Sequence, residues 1–245
     1  AGFAAPGQGA ILQVKVEGRT ATRIERSSVA NETFTARAGE TLEVLLSDGS
    51  SLLLAAGASA TIETYQFDPA TGSGTLSLKL TTGAVRVMGG RLNAKTPIRI
   101  TLADAVANLL DGGAFFEAGS QSRFTLLVGG KMTVTQGGAE RTLERSGYEV
   151  TAASGGTLSE PVKQSREAAI ADAGRINPLL SGATRIEAAA LGSEENPRVD
   201  DNQIDTPEVP DYSRGVINFA DGSSIAVGGL TAGTVVGGLI DGPGD

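Results

Sequence analysis

Between residues 11 and 152 the apolar side chains recur at alternate positions or in runs of a few residues, separated by Gly, Asp and Asn. A two-residue period places alternate side chains on one face of a strand, and frequent turn residues keep each strand short. The pattern predicts strands over residues 11–16, 20–25, 41–46, 51–55, 60–66 and 75–80. It predicts others over 84–88, 98–102, 123–128, 131–135, 141–144 and 148–151. Asp48-Gly49 and Gly129-Gly130 read as hairpin turns, because glycine adopts positive φ without a steric penalty. With 34 glycines, 4% aromatic residues and no tryptophan, the core must be built from Val, Leu, Ile and Ala. The expectation is an all-β fold of many short strands. A β-sandwich and a β-solenoid share these turn signals, so both stay open.

The pattern changes near residue 156, which divides the chain into an all-β domain over 1–155 and three further parts. Pro161 opens an expected helix over 162–173, which carries Glu167, Ala168, Ala169 and Ala171 and is followed by Gly174 as a stop. A second, weaker helix is expected over 181–191, which makes 156–192 a helical connector. Residues 193–211 hold seven acidic residues, three prolines and one arginine, the composition of a solvated acidic linker. Residues 212–245 form a Gly-rich tail in which a β-hairpin is expected. There, Phe219-Ala220-Asp221-Gly222-Ser223-Ser224-Ile225 echoes Leu46-Ser47-Asp48-Gly49-Ser50-Ser51-Leu52.

Histidine and cysteine are both absent, which removes the commonest general acid-base group, the commonest metal ligands and any disulfide. No serine-nucleophile signature occurs. Gly130-Lys131 fails as a phosphate loop, since Thr125 stands at the first glycine position and Met132 at the Ser/Thr position. Asp200-Asp201-Asn202-Gln203-Ile204-Asp205 lacks the glycine an EF-hand needs at its sixth position. Carboxylates are spread through turns rather than paired, so a sugar-cleaving enzyme is the weaker reading, and turn aspartates remain as oxygen donors for calcium. No catalytic residue, cofactor or metal site is assigned. A net charge of -8 and a pI of 4.7 oppose nucleic-acid binding. The apolar stretch 228–240 is too short to span a bilayer, which takes roughly 20 residues. The chain starts at Ala1 without an initiator methionine, which reads as a mature exported protein.

Three stretches carry a family likeness. They are Leu45-Leu46-Ser47-Asp48-Gly49-Ser50-Ser51-Leu52, Tyr65-Gln66-Phe67-Asp68-Pro69-Ala70-Thr71-Gly72, and Thr82-Gly83-Ala84-Val85-Arg86-Val87-Met88-Gly89-Gly90 leading to Thr96-Pro97. In this order and spacing the chain resembles the FecR domain over about residues 9–151. The resemblance implies an all-β periplasmic or extracellular module. Where that family continues into an Arg-Gly-Thr signature this chain has Asp104-Ala105-Val106, so the likeness implies fold and compartment rather than the family's relay to a sigma factor. The residues themselves suit structural work: Asp48, Asp68 and Asn93 cap turns, Gly83 and Gly89 permit tight backbone, and Thr96-Pro97 starts a strand.

The functional expectation is a non-enzymatic structural protein at the cell surface that self-assembles through strand edges and its terminal segments into a homo-oligomer, filament or layer. Ile217, Phe219, Ile225, Val227, Val235 and Val236 are the apolar residues of the strand or hairpin it would add. The alternative is a periplasmic FecR-like sensing module that binds envelope proteins or polysaccharide.

Overall fold

The computed structural model describes residues 8–16, 19–176, 216–218 and 224–226. The chain is all-β with one short helix. In chain order the strands are β1 (Ala10–Val16), β2 (Arg19–Arg26), β3 (Glu32–Thr35), β4 (Glu40–Leu46), β5 (Ser51–Leu54), β6 (Ser59–Asp68), β7 (Ser73–Met88) and β8 (Ile98–Leu102). They continue with β9 (Ala105–Ala118), β10 (Gln121–Gln136), β11 (Ala139–Leu143), β12 (Tyr148–Ala153) and β13 (Val162–Lys163). Helix α1 (Arg166–Ile176) follows, and β14 (Val216–Asn218) with β15 (Ser224–Ala226) forms a separate antiparallel hairpin. β1 to β13 belong to one 13-stranded sheet.

Three long strands turn this one sheet into two layers. The first half of β7 pairs with β6 and, in parallel, with β8, whereas its second half pairs with β5 and β9. β9 pairs with β8 at its start and with β7 at its end. β10 pairs with β12 at its start and with β11 at its end. One layer therefore runs β2-β1-β4-β5-β7-β9-β10-β12-β13, and the other runs β3-β6-β7-β8-β9-β10-β11. A single apolar cluster unites both, with Val44, Leu54, Val87 and Phe116 from the first and Ile62, Leu78, Ile100 and Val134 from the second. This is the sandwich, not the solenoid: a solenoid stacks parallel strands, and here the only parallel pair among the described strands is β7 with β8.

The crossings explain where local pattern misleads. In β7 the positions in the central core are Leu76, Leu78 and Leu80, then Val85 and Val87, so the inward alternation changes phase at Gly83, whose φ is +75°. In β9 they are Ala105, Ala107 and Leu109, then Ala114 and Phe116, with the change at Asp111, whose φ is +52°. In β10 two left-handed residues, Gly129 and Gly130, stand at the crossing, and the phase before and after is the same. A one-residue shift moves a whole strand's side chains to the other face, so each crossing needs a local backbone change to keep the apolar set inward.

Four expectations are corrected. Gly129-Gly130 is a bend inside one 16-residue strand rather than a hairpin turn, and segments 75–80 and 84–88 are one strand. β9 and β3 were not expected, β9 because its alternation breaks at Asp111-Gly112-Gly113. The helix starts at Arg166, not 162, because the Ser165 hydroxyl accepts the Ala168 N–H at 3.1 Å as an N-terminal cap. It also runs through Gly174 to Ile176, whose side chain is buried with Leu53, Phe115 and Leu127 on the outer face of the first layer. The segment 181–191 and the acidic stretch 193–211 lie outside the described residues.

The crossing at Gly83 is sterically closed as well as left-handed, since a Cβ there would sit 2.6 Å from the Ala58 Cα. Gly83→Val should destabilise the protein by about 2 to 4 kcal/mol in urea denaturation, combining positive-φ strain with overpacking. Gly137→Ala, at φ +55° but with open space around it, should cost only about 1 kcal/mol.

Candidate functional site

The two turn-forming stretches of the likeness, around Asp48 and Asp68, meet Gly90 and Asn93 at one hydrogen-bonded end of the sandwich. The turn between β4 and β5 places Asp48 where its carboxylate accepts the Ser50 hydroxyl at 2.6 Å and the Ser50 N–H at 3.2 Å. Tyr65, from β6 in the opposite layer, donates its hydroxyl proton to Asp48 at 3.1 Å and accepts the Asp48 N–H at 3.0 Å. The Ser50 hydroxyl oxygen accepts the Gly90 N–H at 2.9 Å, and Asn93 donates to the Leu109 carbonyl at 2.6 Å while accepting the Gly112 N–H at 2.9 Å. Asp48, Ser50 and Asn93 are all buried. Beside them Asp68 caps its own loop, accepting the Ala70 N–H and the Thr71 hydroxyl, which hold its carboxyl below the usual range. Arg91 stacks over the Phe67 ring at 5.4 Å and donates to the Pro69 carbonyl. These contacts join turns to one another, so the motif is an architectural clasp between layers.

A second polar cluster lies on the outer face of the first layer, beneath α1. Cross-strand register lines up Arg23, Gln13, Glu43, Leu53, Arg86, Phe115, Thr125 and Glu149 in one row across eight strands. Lys15 pairs with Glu43 at 2.7 Å. Burial pulls the Arg86 guanidinium below its ordinary pKa, and the charge of Glu43 partly offsets this. Arg123 is the hub: it reaches Asp172 of α1 at 2.5 Å, Glu117 at 2.8 Å and Glu149 at 3.4 Å, with its guanidinium over the Phe115 ring. Arg175 also pairs with Glu117, and Gln164 donates to Asp172 at 2.6 Å. Burial pushes Asp172 up against the pull of Arg123 and Gln164. At Glu117 the same burial is outweighed by Arg175 and Arg123, which hold it below its usual range. Every carboxylate here is matched by a cation, which is the arrangement of a latch for α1.

The sheet edges form the third candidate. β2 pairs with β1 on one side, and among the described residues no strand covers its other side. At the far end of that layer, residues 158–163 run along β12 as an interrupted strand, with a bridge from Ala152 to Leu158 and pairing of β12 with β13. Pro161 lies in that segment and has no N–H to offer a further strand. The edges of the second layer are short, four residues in β3 and five in β11. A shallow cleft of about 420 Å³ beside β11 and β12 is lined by Lys131, Glu144, Arg145 and Tyr148, but Lys131 and Glu144 are 3.8 Å apart and more than half exposed, as solvated surface charges are.

Of the residues expected at an interface, Ile217 and Ile225 face each other in the β14–β15 register, and Phe219, Val227, Val235 and Val236 lie outside the described residues. No group of three or more potential metal ligands occurs among the described residues, and none of their helices is long and apolar enough to cross a membrane. Sequence reasoning missed the Arg123 cluster, whose members are up to 58 positions apart along the chain.

No family model and no curated protein matches the chain. Among solved structures it is similar to two crystal structures of candidate anti-sigma factors from Parabacteroides distasonis. The structure at 2.50 Å is 14% identical, with 68% of this chain and 94% of that chain covered and a TM-score of 0.44. The one at 1.65 Å is also 14% identical, with 60% and 74% covered and a TM-score of 0.43. At these scores the likeness carries no argument about function.

Tyr65→Phe should cost about 1 to 3 kcal/mol, because it leaves the buried Asp48 carboxylate short of a donor. Burial, together with the Asp48 charge, holds the Tyr65 hydroxyl well above its ordinary pKa. Its folded-state pKa is thus raised, so its stabilising contribution is complete below the unfolded pKa of about 10 and is lost as pH rises beyond it. Urea melts should show that loss in the wild type and a smaller one in Tyr65→Phe.

Arg123→Met should cost about 2 to 3 kcal/mol, the value for breaking a buried pair reduced for partial exposure, and should abolish amide protection in α1. Arg175→Met, at an exposed pair, should cost under about 1 kcal/mol. Hydrogen exchange resolved over residues 166–176 separates the two.

Proposed function

We propose that this protein is a non-enzymatic, exported association module of FecR-like type that gains its partners by strand addition at the β2 edge. One observation carries the reading: the first layer ends on one side at a short Pro-interrupted segment that blunts the edge, and on the other at β2, an eight-residue strand without proline, bulged at Ala21. Open edges offer a row of N–H and C=O groups, and native sheets normally blunt them. Leaving the longest one available suits a protein that uses it. Self-assembly at the cell surface is the first form of this reading, with the β14–β15 hairpin and its Ile217–Ile225 pair as apolar material for a neighbour. The balanced ion pairs under α1 and the turn-capping role of Asp48 and Asp68 agree with a binding module rather than an enzyme.

Light scattering on the purified protein should give a mass above that of the 24.8 kDa chain. Ile24→Lys, which places a charge at the β2 edge, should return it to a single chain, whereas Val162→Lys at the closed end should leave the assembly intact. A single-chain mass for the wild type would reject self-assembly and shift the reading to capture of an envelope protein at the same edge.

A further inference from the structure

The β2 edge also carries information about what it pairs with. Its sequence is Arg19-Thr20-Ala21-Thr22-Arg23-Ile24-Glu25-Arg26, three arginines against one glutamate in a chain whose net charge is -8. Arg23 and Glu25 are exposed, and Ile24 is 37% exposed. Ile24 and Val162 are the two exposed large hydrophobic residues among those described, and they sit at the open and closed ends of the same layer. Arg26 is held only by Glu32 at 3.3 Å in a solvated pair, with the two side chains 42% and 34% exposed, which is worth little and is easily exchanged.

Pairing of the whole length of β2 with its own copy is poorly matched. If the whole strand lies antiparallel on itself about its centre, Arg19 faces Arg26 at both ends and Ile24 faces Ala21. Like charges placed directly opposite each other are destabilising across a sheet. A strand that places carboxylates opposite the arginines and an apolar residue opposite Ile24 gains at each position instead.

We propose that the β2 edge is a docking site for an extended acidic segment of a partner protein, added antiparallel to β2, with a carboxylate opposite Arg23 and an apolar side chain opposite Ile24. The proposal rests on strand addition at β2 and adds the chemistry of the partner. Backbone hydrogen bonds supply sequence-independent attraction, and the arginines select the charge. Because the edge is solvent-exposed, selection weakens as salt rises past the point where the screening length falls to about 8 Å.

The test uses the full chain and three fluorescent probes: an eight-residue peptide alternating Asp with Val, the same peptide with Lys for Asp, and a peptide copying residues 199–209 of this chain. Polarisation should show the Asp peptide binding at least tenfold more tightly than the Lys peptide at low salt. Arg23→Glu, which leaves two arginines against two glutamates and whose fold is checked by thermal melting, should abolish that preference. Binding of the 199–209 peptide as tight as the Asp peptide would identify a second copy as the source and overturn a separate partner protein. Equal binding of the Asp and Lys peptides would overturn charge selection while leaving strand addition standing. Failure of every peptide, with a mass above one chain that Ile24→Lys abolishes, would overturn the acidic strand alone. Failure of every peptide with a single-chain mass would overturn both.

Discussion

The requirement that one continuous sheet cover both sides of its own core governs this structure. β7, β9 and β10 each belong to both layers, and each must cross without turning its apolar side chains outward. A strand has a fixed two-residue alternation, so the crossing is possible only where the backbone leaves the extended region. Gly83, Asp111, Gly129 and Gly130 occupy left-handed conformations at those points. Three of the four are glycine, which adopts that region at little cost, and Gly83 and Gly130 also have no room for a Cβ. The continuous cluster from Val44 to Val134 follows from these few backbone choices.

The polar clusters complete what the crossings begin. At one end the Asp48, Ser50, Tyr65 and Asn93 network ties the turns of one layer to strands of the other, and each buried oxygen or N–H within it that pairs does so with a named partner. On the outer face the Arg123 cluster does the same for α1. That helix buries only Ala169, Ala173 and Ile176 among apolar residues, so the pairing of Asp172 with Arg123 contributes a large share of what holds it. Buried charge is costly unless matched, and here the match is made between a helix and three strands. Such a latch fixes the position of one element.

The two ends of the first layer are unlike. One is closed by the chain's own residues 158–163, interrupted at Pro161, and the other ends at β2 with its arginines and Ile24. The edges and faces of a sandwich are places to meet another molecule. The clasp, the latch and the closed edge all remove backbone and charge from that role, and β2 keeps both.

The sequence alone determined the all-β class, the approximate position of most strands, the Asp48-Gly49 turn and the capping by Asp48 and Asp68, because these depend on a two-residue period and on side chains acting within a few positions. Asn93 instead reaches Leu109 and Gly112, 16 and 19 positions away. The sequence also showed where the acidic stretch lies. The tertiary structure alone decided that segments 75–80 and 84–88 are one strand, that Gly129-Gly130 bends rather than reverses the chain, and that β9 exists. A positive-φ glycine looks the same in sequence whether the next residues turn back or cross to another layer; the difference lies in which distant strand is there to pair. The start of α1 was likewise decided by the pairing of residues 162 and 163 with β12, which leaves Ser165 to cap the helix. The Arg123 hub and the open β2 edge depend on register between strands far apart in the chain, and register is set by the packed core as a whole rather than by any residue's neighbours.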